Sequence, residues 1–288
     1  MERRCFDSGK RPDRLIRVLR QALIFVLLIT VSISKYNSDM PFDVFVSGSD
    51  EYTAFPDMAA ALSRARQTKP SFIYHWGSGR LLWDNSSHIP ASAKLEAPLL
   101  LQMPELPRGC EVTSLAMLLV SQGIKTDKLE LARRIKKDPT PYQIKNGRVF
   151  YGNPNIGFVG HMYTSRAVGY GVYHGPIAAL LNEYMPDMAL DITGCEFEDL
   201  FYYLALKIPV WVIINITYAP LPPSAFVTWD TADGPIQITY REHSVLLTGY
   251  DEMNVYFNDP LAGQNFAPRS QFAAAWEQMG SQAVTVMP

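Results

Sequence analysis

Cys110 stands where a turn becomes a helix. Pro107-Arg108-Gly109 precedes it, and Glu111-Val112-Thr113-Ser114-Leu115 begins an apolar, helix-forming run that continues to Val120. A helix start presents unpaired N–H groups and the positive end of the helix dipole, and both favour negative charge. A thiol there is expected to ionise readily, and the thiolate is the nucleophile. Far downstream come Glu242-His243-Ser244 and then Asn258-Asp259-Pro260. A cysteine, then a histidine, then Asn or Asp supplies a nucleophile, a base and a residue that orients the base.

The elements around these residues must bring them together. Ser244–Tyr250 and Asn254–Asn258 read as the strands of one hairpin. With a three-residue loop, Val245 lies opposite Asp259, and His243 shares a face with Asp259. A loop of two or four residues slips the register by one and brings Asn258 to that face instead. Either register sets an acceptor beside one ring nitrogen of His243 and leaves the other for the thiol proton; the spacing does not choose between them.

Composition excludes several chemistries. The chain has 288 residues, 48% hydrophobic and 19% charged, with a net charge of −2. That balance suits a globular domain with extras and offers no footprint for nucleic acid. No phosphate-binding Gly-x-x-x-x-Gly-Lys-Ser/Thr loop occurs, and Gly77-Ser78-Gly79 lacks the third glycine of a dinucleotide site. Cys5, Cys110 and Cys195 form no Cys-x-x-Cys, and His-Glu-x-x-His is absent. Neither a zinc site, an organic cofactor nor a disulfide scaffold is expected.

Residues 1–14 read as a basic cytoplasmic segment and 15–34 as a transmembrane anchor or a signal peptide. Arginines and lysines crowd positions 3–20 ahead of the apolar run Ala22–Ile33. The run is short for a span of about 20 residues, unless Leu15–Arg20 enters with its arginines reaching back to the headgroups. The positive-inside rule keeps the basic end in the cytoplasm and sends the remainder outside. Cleavage near Ser32-Ile33-Ser34 would release the chain as a secreted protein.

Residues 35–94 read as a small α/β accessory unit and linker. Strands are expected at Phe42–Val46, Ser71–Trp76 and Leu81–Trp83, and a helix at Phe55–Ala65. Phe72, Tyr74, Trp76 and Trp83 read as a small core or a binding face.

From residue 95 to 288 the pattern is α+β, with helices early and strands late. Helices are expected at Cys110–Gln122, Asp127–Ile135, Ile177–Tyr184, Glu196–Lys207 and Ser270–Met279. Thr193-Gly194-Cys195-Glu196 reads as a capping box for the fourth. Residues 140–160 read as a long irregular loop. Pro209–Ile216 is a continuous apolar run, as in a strand buried on both faces. Strands follow at Phe226–Trp229, Ile236–Tyr240, the hairpin above, and Ala283–Val286.

At this point the motifs resemble a known family. They are the Gln102 segment, Gly109-Cys110-Glu111-Val112-Thr113-Ser114, Tyr151-Gly152-Asn153-Pro154, Gly169-Tyr170-Gly171-Val172-Tyr173, Glu242-His243-Ser244-Val245, Gly249-Tyr250-Asp251 and Asn258-Asp259-Pro260. Together they resemble the double-glycine, bacteriocin-processing cysteine peptidases, and more closely their exported, stand-alone bacterial relatives. The resemblance implies a papain-like fold, with an N-terminal helical part carrying the cysteine and a C-terminal antiparallel sheet carrying His and Asp. It implies Cys110 as nucleophile, His243 as general base, Asp259 as its orienter, and Gln102 as an oxyanion donor beside the Cys110 N–H. It differs from the bacteriocin exporters in showing no ATP-binding cassette and no multi-span region.

The expected function is a membrane-anchored, extracytoplasmic thiol protease that hydrolyses a peptide or amide bond through a Cys110 acyl-enzyme. Its partners would be a peptide or protein substrate in the cell envelope or outside the cell, and the membrane. Two alternatives share the fold: a non-catalytic module that binds envelope peptides, and an acyl transferase with the same Cys-His-Asp site. Glu111 and Glu242 read as solvated or capping, Cys195, His161 and His174 as structural, and Trp211, Trp229 and Tyr218 as core or cleft wall.

Overall fold

The computed structural model describes residues 39–49, 52–86 and 88–288. The expected basic segment and anchor, 1–34, lie outside these. Among the described residues no helix is long and apolar enough to cross a membrane.

The first elements are β1 (Phe42–Val46), β2 (Tyr52–Phe55), α1 (Met58–Arg66), β3 (Ser71–His75) and β4 (Leu81–Asp84). The strands form an antiparallel sheet in the order β2-β1-β3-β4. The expected helix at Phe55 begins later, because Asp57 caps it by accepting the Ala60 N–H at 2.8 Å. Phe55 instead closes β2, which sequence patterning missed. Met58, Ala61, Leu62 and Ala65 supply the buried stripe of α1. Trp83 is buried in the core, while Trp76 is exposed.

The main sheet runs β10 (Ala189–Asp191), β17 (Ala283–Val286), β11 (Val210–Asn215), β14 (Glu242–Tyr250), β15 (Asn254–Asp259), β16 (Gly263–Pro268), and β5 (Ala93–Lys94) pairs with the far end of β14. Every residue of β11 is buried. Val210, Val212 and Ile214 enter one apolar cluster and Trp211 and Ile213 the other, so both faces are covered. One face receives α2 (Cys110–Ser121), α3 (Lys128–Arg134) and α4 (His174–Tyr184). The other receives α5 (Leu200–Ala205) and α6 (Arg269–Gln278), and shares its apolar cluster with α1 and β1. The fold is α+β and papain-like, with the cysteine on a helix and the histidine and aspartate on the sheet.

Residues 140–160 are less irregular than expected. They hold β7 (Gln143–Lys145), β8 (Arg148–Phe150) and β9 (Phe158–Val159), the last paired with β6 (Lys137–Asp138). Asn146 and Gly147 both have positive φ, 52° and 76°, which is the tight-turn geometry that Asn-Gly favours between two strands. β8 then joins β12 (Val227–Thr231) and β13 (Gly234–Ile238) in a third sheet. The capping box lies one turn later than read. Glu196 and Asp199 cap a short 3₁₀ turn, Phe197–Asp199, ahead of α5, and Thr193 takes no part in it.

Candidate active site

Helix α2 is buried on every side from Cys110 to Leu119, mostly with apolar residues, as a helix sunk into the core must be. Gly109 caps it without a side chain, and Thr113 returns its hydroxyl to the Gly109 carbonyl at 2.6 Å. Two bonds fix α2 to the sheet. Ser114 Oγ donates to the Ser244 carbonyl at 3.1 Å, and Trp211 Nε1 donates to the Glu111 carbonyl at 3.0 Å. Ser244 follows His243, so the helix that bears the thiol is tied to the strand that bears the imidazole. Trp211 is therefore both a core residue and a tether.

The β14–β15 hairpin carries the other two candidates. Tyr250 pairs with Val255, leaving four residues in the turn, yet Leu246 pairs with Asn258 because a bulge at Thr248 shifts the ladder by one. The bulge restores the register that a three-residue loop would have given. Gly249 sits there for a second reason: a Cβ would lie 2.5 Å from the Ala93 carbonyl oxygen of β5.

His243 Nε2 and Asp259 Oδ1 are 3.0 Å apart, with both side chains almost wholly buried. The Leu261 and Ala262 N–H groups donate to the same oxygen at 2.5 and 3.0 Å, and Tyr218 donates its hydroxyl to Oδ2. Burial alone would raise the Asp259 carboxyl; the His243 hydrogen bond and charge, with Tyr218 and the Leu261 N–H, outweigh it and hold the carboxyl at about 2. Asn258 points elsewhere, its Nδ2 donating to the carbonyls of Ala97 and Pro98 at 3.0 and 3.3 Å. Tyr218 is a participant the sequence did not signal, since its neighbour in space, Asp259, lies 41 positions away.

Cys110 and His243 line one cleft of about 560 Å³, together with Gln102, Arg108, Tyr142, Tyr170, Tyr240 and Glu242. The thiol does not have the low-pKa setting expected of a helix start. Burial pushes it well up, and the charges of Glu111 and Glu242 push it further. Its Sγ donates to Glu111 Oε2 at 3.3 Å, and the other Glu111 oxygen accepts the Val172 N–H at 2.7 Å. Neither glutamate is solvated or capping as expected: Glu111 is fully buried and Glu242 lines the cleft. Burial brings Glu111 up to about 7 and raises Glu242 as well. Cys110, Glu111 and Glu242 place a sulfur and two carboxylate oxygens within 4.8 Å of one another, a donor set that a divalent cation could also use.

Gln102 is buried, and its Nε2 donates to the carbonyls of Leu106 and Pro107 at 3.0 and 3.2 Å. Donation to an oxyanion would require one of those bonds to be exchanged. Cys195 is buried away from the cleft, its thiol raised by burial and by Asp199. His174 Nδ1 meets Asp191 at 2.6 Å outside the cleft, and His161 offers its carbonyl to Arg108.

The chain is 42% identical over 207 residues to YvpB of Bacillus subtilis (strain 168), an uncharacterised protein; the match covers 70% of this chain and 80% of YvpB. A crystal structure from Bacillus anthracis, provisionally described as a C39-like peptidase, is 46% identical, covers 69% of this chain and 98% of that one, and superposes with a TM-score of 0.65. A double-glycine-motif protease from an AMS/PCAT transporter, solved with its leader peptide, is 15% identical with a TM-score of 0.36, too distant to carry an argument. A sequence profile described as the Peptidase_C39 like family matches residues 94–284, and the chain belongs to that family.

Proposed function

We propose that the chain is a cysteine peptidase that hydrolyses a peptide or amide bond through a Cys110 acyl-enzyme, working outside the cytoplasm on an envelope or secreted peptide and anchored by residues 15–34. Residues 95–288 would form the catalytic part and 35–94 an accessory unit. The observation that carries the chemistry is the buried His243–Asp259 pair opening onto the cleft that holds Cys110. Asp259 engages Nε2 and leaves Nδ1 of His243 to take the thiol proton. The thiolate attacks the carbonyl carbon, the Cys110 N–H at the helix start receives the oxyanion, and Gln102 joins it after releasing a backbone carbonyl. The imidazolium returns its proton to the departing amine. Water, deprotonated by the same nitrogen, then frees the acyl group.

One observation favours a second reading. The resting thiol donates to Glu111 and has a raised pKa, as expected of a peptide-binding module that no longer turns over. The Cys110→Ala protein separates the two. It should melt within about 1 kcal/mol of the parent, well short of the 2–5 kcal/mol of a core truncation. It should also lose all cleavage of a peptide library that the parent digests, as mass spectrometry would show. A parent that cleaves nothing, or a Cys110→Ala protein that still cleaves, overturns the peptidase assignment.

A further inference from the structure

The cleft beside Cys110 holds more acid than the protein neutralises. Glu242 enters from the first position of β14 and Glu111 from the first turn of α2. Both oxygens of Glu111 are engaged, by the Val172 N–H and by the thiol. Glu242 Oε1 is buried and takes no hydrogen bond from the described residues. The backbone closes against the pair at Gly171, where a Cβ would lie 2.3 Å from Glu111 Oε1 and 2.9 Å from Glu242 Oε2. Arg108, the one arginine in the cleft wall among the described residues, is already committed: its guanidinium donates to the carbonyls of His161, Thr164 and Ser165. A buried carboxyl without a partner is costly, and a cation relieves that cost. The upward displacement of both glutamates, by burial and, for Glu242, by Glu111, expresses the same shortage of positive charge.

The walls beside this carboxyl are aromatic. Tyr142, Tyr170 and Tyr240 line the cleft, and the rings of Tyr170 and Tyr240 stand edge to face at 6.3 Å. Tyr142 and Tyr240 are well exposed, so they can receive a ligand. Aromatic rings attract ammonium groups and pack against aliphatic stems. A proton on Glu242 would make no use of these walls. A primary ammonium on an alkyl stem uses both features, the stem against the tyrosines and the charge on Glu242. We propose that Glu242 determines specificity in this cleft, forming with Tyr142, Tyr170 and Tyr240 a subsite for a cationic, lysine-type side chain beside the scissile bond. This rests on the peptidase reading above and adds a substrate class to it.

Binding tests it apart from turnover. Full-length Cys110→Ala protein in detergent would be titrated, by fluorescence anisotropy, with short alanine-based peptides in which one position at a time is Lys, norleucine or ε-acetyl-lysine. At one position Lys should bind about 10–100-fold tighter than either neutral twin, the range of a hydrogen bond to a charged group. Adding Glu242→Gln should bring that ratio to about one. Glu242→Asp should keep part of it, and Glu252→Gln, on the exposed β14–β15 turn, should leave it unchanged. A ratio near one at every position, or one that survives Glu242→Gln, overturns the subsite. If Glu242→Gln does not fold, the ε-acetyl-lysine peptides still decide, because they remove the charge from the ligand instead. Iodoacetamide labelling of Cys110 in the parent reports separately on the nucleophile: an inert thiol would sink the peptidase reading, and the binding ratio would still judge the subsite.

Discussion

Replacing Glu111 by glutamine should make Cys110 a better nucleophile toward a small alkylator. Glu111 reaches a pKa of about 7 through burial, so above neutrality it carries charge 3.3 Å from the sulfur. Two like charges at that separation repel by about 5 kcal/mol at an effective dielectric of about 20. Removing that charge should lower the thiol pKa, by less than the full repulsion because Glu242 still raises it. Glutamine keeps the acceptor for the Val172 N–H and turns an N–H toward the sulfur. The thiolate fraction at fixed pH rises faster than intrinsic nucleophilicity falls, so alkylation should speed up on the order of 10-fold. The assay is iodoacetamide alkylation of the full-length protein across pH, with Cys110 followed by peptide mapping. Stability gives a second reading. A carboxyl raised from its ordinary 4.5 to about 7 favours the folded state when protonated and penalises it as pH rises through that window. Glu111→Gln should thus be neutral below about pH 4.5 and stabilising by about 3 kcal/mol above pH 7, before any loss of the thiol contact. A thiol whose titration stays in place or moves upward would refute the electrostatic argument and point to Glu111 as an acceptor of the thiol proton.

Asp259→Asn should lower turnover by about 10²–10⁴-fold, whereas Asn258→Ala should mainly cost stability, about 1–3 kcal/mol, for the orphaned carbonyls of Ala97 and Pro98. The reverse ranking in steady-state rates and melts would move the orienting role to Asn258. Because Asp259 is depressed to about 2, its contribution to stability is present above pH 4 and disappears as pH falls toward 2. The acid arm of a pH–stability profile should therefore flatten in Asp259→Asn, and an unchanged arm would contradict the pairing. For topology, protease added to intact cells lacking an outer membrane, or to spheroplasts, should digest residues 95–288 and spare the basic segment before residue 21. A domain cut only after lysis would rule out an extracytoplasmic role.

Local patterning determined a good deal of this molecule. The apolar run after Cys110 could only be a buried helix, and Pro209–Ile216 contained the central strand, Val210–Asn215, as found. The Asn146-Gly147 pair favours a tight turn, but its exposed, weakly patterned flanks give no strand signal, so the segment reads as loop. Register was not legible. It depends on a turn of four residues and a bulge at Thr248, and the bulge is set where β14 meets β5, whose Lys94, the partner of Gly249, lies 155 positions upstream. The ionisation of Cys110 was not legible either. A helix start favours the thiolate, but that local field is outweighed by burial and by two carboxyls, one of which, Glu242, arrives from a strand distant in sequence. Residue types and order named the candidate nucleophile and base and left Asn258 and Asp259 both open as the orienter, because covalent spacing along a helix or hairpin is short-range. Which proton each holds, and what the cleft beside them accepts, was decided by tertiary packing, because desolvation and charge act through space.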